Sequence, residues 1–139
     1  MRGAYILLIK LSNSYEAVVG SLGRLNLEKG YYAYVGSALN DLDARIGHHL
    51  KIKKKLHWHI DYLLNKANVE NVFFKEGEER EECEFAYELN KHFQSIDKFG
   101  SSDCNCKSHL FYSEDHSELR SAIMRLGTSE YEYKPNSHV

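Results

Sequence analysis

A chain of 139 residues with 42% hydrophobic and 27% charged side chains can bury one core, and its single proline and lack of low-complexity tracts exclude a disordered or linker-like polypeptide. A net charge of −2 excludes a uniformly basic nucleic-acid coat, and no apolar run approaches the roughly 18 residues of a membrane helix. The opening MRGAYILLIKL has no small-residue cleavage site, and the three cysteines, Cys83, Cys104 and Cys106, are odd in number, so the expected setting is the reducing cytoplasm with no membrane partner.

Residues 4–11 (AYILLIKL) are continuously apolar and predict a buried strand. Short strands over 16–19 and 24–27, broken by Gly20-Ser21-Leu22-Gly23, predict a hairpin. The turn Glu28-Lys29-Gly30 leads into a strand over 31–36, where Tyr32 and Tyr34 share one face and Tyr31, Ala33 and Val35 the other. Asn40-Asp41 caps a helix to about Lys51. Its inward stripe is Leu42, Ile46 and Leu50 or His49, and Arg45 and His49 are four apart on a neighbouring stripe. A helix over about 57–65, a strand over 69–75 and a Glu-rich helix over 78–93 follow, the last with Phe85, Ala86, Leu89 and Phe93 inward. After a loop at 100–102 come a strand over 109–112 and a closing helix over 117–126, capped by Ser113 or Asp115. The expected architecture is α+β, a small mixed or antiparallel sheet flanked by helices, in one domain (1–127) with a loosely ordered tail (128–139).

Charge is segregated along this chain. Residues 44–60 hold Arg45, Lys51, Lys53, Lys54, Lys55 and four histidines but no acid, a local positive field that can steer a polyanion despite the negative total. The bland counterpart is a solvated helix end. In His57-Trp58-His59-x-Asp61, His57 and His59 can contact a phosphate. The preferred reading of that run is structural, with Trp58 covering core and His59 bonded to Asp61. Cys104-x-Cys106, His109 and Cys83 form a conceivable zinc set, but the C-x-C spacing is short and no second close pair exists, so small buried thiols are expected.

Gly3-Ala4-Tyr5 in the first strand, Tyr34-Val35-Gly36 in a later one, and a following helix with Arg45 and His49 four apart resemble the GIY-YIG nuclease signature. The longer pattern GRL, GYYAYVGSA, HWHIDYLL, EC and FGSSDC-x-C-x-SHLFY, across about 3–112, resembles a GIY-YIG-like family of short prokaryotic proteins whose domain also occurs fused to endonuclease III. The resemblance implies a GIY-YIG-like sheet with an extra hairpin between its two signature strands. It also implies a DNA endonuclease using Mg2+ or Mn2+, acting on duplex, damaged or branched DNA in repair, with a base-excision-repair partner. In that scheme Tyr5 and Tyr34 match the signature tyrosines, Arg45 the phosphate-binding arginine and His49 the residue four later; Tyr32 joins as a neighbour on Tyr34's face. Lys51, Lys53, Lys54, Lys55 and His57 are the expected DNA contacts. A single glutamate would hold the metal. Ungapped alignment to repair members points to Glu88, while helical periodicity puts Glu82 on the core-facing stripe; Glu82 is preferred and Glu88 kept in reserve.

A tyrosinate base needs help, since a free phenol titrates near about 10 and Arg45 or the metal would have to lower it. The chain also departs from the pattern. The hairpin separates the two signature motifs, Ser37 stands where repair members often carry lysine, and Ser108 or His109 takes the place of a late asparagine. These departures frame an alternative, a catalytically inactive DNA-binding or lesion-recognition module. A third class, a small-molecule enzyme, would show a closed pocket of His57, Cys104 and His109 without basic residues.

Overall fold

In the computed structural model, the described residues are 2–38, 40–51, 56, 58–77, 81–101 and 104–132. In chain order they form β1 (Gly3–Leu11), β2 (Tyr15–Val18), a 3-10 turn at Gly20–Leu22, β3 (Arg24–Leu27), β4 (Gly30–Ala38), α1 (Leu42–Leu50) and α2 (His59–Leu64). There follow β5 (Asn68–Glu76), α3 (Glu82–Asn90), β6 (Gln94–Ser95), β7 (Leu110–Ser113), α4 (His116–Met124) and β8 (Ser129–Tyr131). Six strands make one sheet in the order β6-β7-β4-β1-β5-β8, and β2 and β3 pair apart as a hairpin. Every pairing is antiparallel, which resolves the mixed-or-antiparallel expectation.

β1 lies at the centre, between β4 and β5, and is buried along nearly its whole length. Antiparallel strands usually alternate apolar and polar residues because one face meets water. Here both faces are covered, which is why residues 4–9 read as an unbroken apolar run. Tyr5, Leu7, Ile9 and Leu11 pack with Tyr32 and Tyr34 under α1, α2 and the hairpin, through Leu42, Ile46, Ile60, Leu63, Val19 and Leu27. Ala4, Ile6 and Leu8 pack with Ala33 and Val35 under α3 and α4, through Phe85, Leu89, Leu119 and Ile123.

Helix α1 starts where expected, with the Asp41 carboxylate accepting from the Ala44 amide at 3.1 Å. Asp115 caps α4 in the same way through the Glu118 amide. Three expectations are corrected. The tail expected over 128–139 is not loose throughout: residues 129–131 pair with β5 as β8. Two-residue β6, too short to show a period, edges the sheet beside β7. α3 spans Glu82–Asn90, so Phe93 lies beyond it; residues 78–80, where that helix was expected to begin, are outside the described set. Among the described residues, no helix is long and apolar enough to cross a membrane.

Candidate functional site

β7 pairs with residues 31–34 of β4 and then leaves it, apart from the Val35 amide donating to the His109 carbonyl at 2.9 Å. Beyond that point the end of β4 is free to form the floor of a cleft of about 240 Å³. Tyr5, Tyr34 and residues 35–37 form its base, Arg45 and His49 come from α1, and Trp58 and His59 from the start of α2. Glu82 enters from α3, and Gly100, Cys104 and His109 from the segment between β6 and β7. A space of that size admits a group as small as a phosphate with water around it.

Each wall has a local cause. Tyr5 and Gly36 are direct cross-strand partners, and a Cβ on Gly36 would overlap the Tyr5 ring. The glycine therefore lets the phenol lie across β4, with its hydroxyl 2.7 Å from His49 Nε2. Gly100 combines a positive φ of 69° with close approach to the Tyr34 ring, so it too is set by geometry rather than by flexibility. On α1 the buried stripe is Leu42, Ile46 and His49, which settles the choice between His49 and Leu50. Arg45, one turn before His49, lays its guanidinium 4.7 Å from the centre of the Trp58 ring. Trp58 also stacks edge-on against His48 at 4.8 Å and lies 5.7 Å from His49.

The electrostatics oppose a resting tyrosinate. Burial pushes the Tyr5 phenol well above its ordinary value, and Tyr34 beside it adds to this, while the charge and hydrogen bond of Arg45 pull the other way. Burial likewise pushes Tyr34 up to about 12, against the opposing pull of Arg45. Both are therefore neutral phenols near pH 7, and Arg45 alone does not achieve the lowering that a tyrosinate base requires. His59 is held below its ordinary value by burial. Its Nδ1 accepts from the Gly100 amide at 2.9 Å, so the neutral ring carries its proton on Nε2.

The other expected residues separate clearly. Glu82, the first residue of α3, is 2% exposed and lines the cleft; the side chain of Glu88 is 43% exposed, paired with Lys91 at 3.0 Å, and does not line it. The body of α3 packs on the opposite face of the sheet, but its first turn reaches past the sheet's end. Tyr32 shares Tyr34's face yet stays out of the cleft, since two residues along a strand span about 7 Å. Its hydroxyl donates to the Glu28 carbonyl at 2.6 Å, and burial raises its pKa. Lys51 caps the end of α1 and borders a separate groove with residues 64–69. Lys53, Lys54, Lys55 and His57 lie outside the described residues.

Two local readings change. His59 is bonded to Gly100 rather than to Asp61; the Asp61 carboxylate instead accepts from the Trp58 amide at 2.9 Å and lies 3.5 Å from His48 Nε2. Of the two stand-ins for a late asparagine, Ser108 spends its hydroxyl on Leu110 backbone atoms, whereas His109 lines the cleft. Trp58 and His59 line the cleft as well, although a structural role was expected for their run. Their signal was present in the dense HWHID run at the start of a short helix.

The cysteine expectation is also corrected. Cys83, Cys104, Cys106 and His109 come together with one ligand atom from each, all within 4.8 Å of one another, an arrangement that could hold a metal ion. The thiols are partly exposed rather than fully buried. Cys104 Sγ lies 3.4 Å from His109 Nε2, and desolvation is the main cause that pushes the Cys83 and Cys106 thiols up. Sulfur and imidazole donors suit a soft metal and not Mg2+ or Mn2+. Cys104 and His109 share the cleft with Arg45, whereas His57, the third residue of the pocket expected for a small-molecule enzyme, lies outside the described residues.

No curated protein and no solved structure matches the chain. A family model does, over residues 4–131, a span that takes in all of the sheet but Gly3, the cleft and the cysteine cluster. The chain therefore belongs to the family described as Domain of unknown function DUF123.

Proposed function

We propose that the cleft is the active site of a divalent-metal-dependent DNA endonuclease of GIY-YIG type, hydrolysing phosphodiester bonds with structure or lesion selectivity in DNA repair. The observation that carries this reading is the convergence of Tyr5, Tyr34, Arg45, His49 and Glu82, from four separate elements, on one phosphate-sized cleft. Among the described residues lining it, Arg45 is the only lysine or arginine, and Trp58 holds its guanidinium. Its planar donors would grip two oxygens of a phosphodiester and remain there as charge builds up. The donor set fits a hard cation: Glu82 offers carboxylate oxygen among phenol hydroxyls, with room for water and phosphate to complete the shell. Bound there, Mg2+ or Mn2+ would supply charge neutralisation at the phosphate and leaving oxygen.

The Tyr5–His49 hydrogen bond provides the proton route. Neutral Tyr5 passes its proton to His49 Nε2 as it takes one from the attacking water. The hydroxide forms a bond to phosphorus, the ester bond to the leaving oxygen breaks, and solvent protonates that oxygen. Tyr34, 6.1 Å from the His49 ring between centroids and held neutral, would donate a hydrogen bond to the phosphate. The test is cleavage of plain duplex, single-stranded, abasic, flap and branched DNA with Mg2+, Mn2+ or EDTA. Metal-dependent nicking of at least one substrate, reduced about 10²–10³-fold by Arg45→Ala, is the expected result. Salt-sensitive binding with no cleavage on any substrate would favour the inactive recognition module, the reading that the two raised phenols support.

A further inference from the structure

We propose that Cys83, Cys104, Cys106 and His109 bind one zinc ion in a closed tetrahedral site that staples the first turn of α3 to the segment between β6 and β7. Four soft donors from two distant stretches of chain meet within 4.8 Å, with the three cysteines as free thiols. Zinc takes sulfur at about 2.3 Å and imidazole nitrogen at about 2.0 Å, so tetrahedral ligands stand about 3.8 Å apart. Closing the cluster onto an ion needs movements of only about 1 Å. The rigid ligand is already in place. His109 donates its amide to the Phe99 carbonyl at 2.8 Å and accepts from the Val35 amide at 2.9 Å, tying it to the sheet. Cys83 sits in the first turn of a helix whose other inward residues, Phe85, Ala86 and Leu89, are locked in the core.

The site has a structural purpose. Between a two-residue strand and β7 lie the described residues 96–101 and 104–109, and Phe99 is their fully buried anchor. A zinc ion adds a second anchor near the far end of that stretch. It also fixes the neighbours of its ligands: Glu82 precedes Cys83, and Cys104 and His109 are themselves part of the cleft wall. Three thiolates and one imidazole fill the tetrahedron and leave no open position, so this ion holds structure and does not activate water. It is independent of any hard cation at Glu82.

Elemental analysis of protein purified under reducing conditions tests this directly. About one zinc per chain is expected, together with thiols that react with a disulfide reagent at least about tenfold faster once a chelator removes the metal. Adding zinc to the stripped protein should restore the slow rate, and cobalt in its place should give thiolate-to-cobalt charge-transfer absorption. Cys106→Ser, whose side chain lies outside the cleft lining, should lower the zinc content while Asn105→Ala retains it. Stripped wild-type protein that takes up no zinc, or zinc uptake unaffected by both Cys83→Ser and Cys106→Ser, would overturn the proposal. These readouts need no DNA, so their failure is separate from failure of the nuclease reading.

Discussion

Two donor sets meet at the first turn of α3, and they differ in chemistry rather than in place. Glu82 points an oxygen donor into a cleft with Arg45 and two phenols, while its neighbour Cys83 joins two further thiols and an imidazole. A helix turns by about 100° per residue, so the two adjacent side chains leave it in different directions. Oxygen donors and a sulfur–imidazole cluster thus stand on one wall, with Cys104 and His109 lining the cleft as well as joining the cluster. The cleft is an open space of about 240 Å³, whereas the cysteine cluster brings four protein donors within 4.8 Å of one another.

The sharpest way to break that comparison is Glu82→Gln, which removes the charge and preserves the shape. Cleavage should fall about 10²–10³-fold while zinc content stays at about one per chain. Loss of both together would mean that the two sets form one centre. Gly36→Ala should act next. Its new methyl overlaps the Tyr5 ring, so a stability cost of about 1–3 kcal/mol in chemical denaturation and weaker cleavage are expected, again with zinc retained.

The smallest effect belongs to the paired tyrosines. Tyr32→Phe removes the hydrogen bond to Glu28 and should cost about 1 kcal/mol with cleavage unchanged. Tyr34→Phe should slow cleavage with less loss of stability; equal cleavage by both variants would remove Tyr34 from the site. Tyr34 also sets a pH dependence. Its folded-state value of about 12 exceeds the roughly 10 of a free phenol, so the fold favours the protonated form. That stabilisation is complete below pH of about 10 and drains away as pH rises toward 12, and denaturation of Tyr34→Phe across that window should lose less stability than the parent protein.

Much of the architecture was readable because its signals are local. The apolar run of β1, the alternation of β4, the Asp41 cap and the α1 stripe each depend on near neighbours in sequence. β6 and β8 were missed because strands of two and three residues are too short for a period to show. Their pairing is imposed by β7 and β5. The same limit misread the cysteines, since a short C-x-C spacing says nothing about a third thiol that arrives from another helix.

The sequence by itself determined which side chains share a face, because strand and helix periods follow from backbone geometry alone. It therefore put Tyr32 and Tyr34 together and preferred Glu82 over Glu88. Only the tertiary structure separated the two tyrosines, by opening the cleft at the Tyr34 end of β4 while Tyr32 packs on Tyr112, and brought Glu82 into the same cleft as Arg45. Meetings of that kind depend on strand order and on where elements stop, and those are decided by long-range packing of a core covered on both faces.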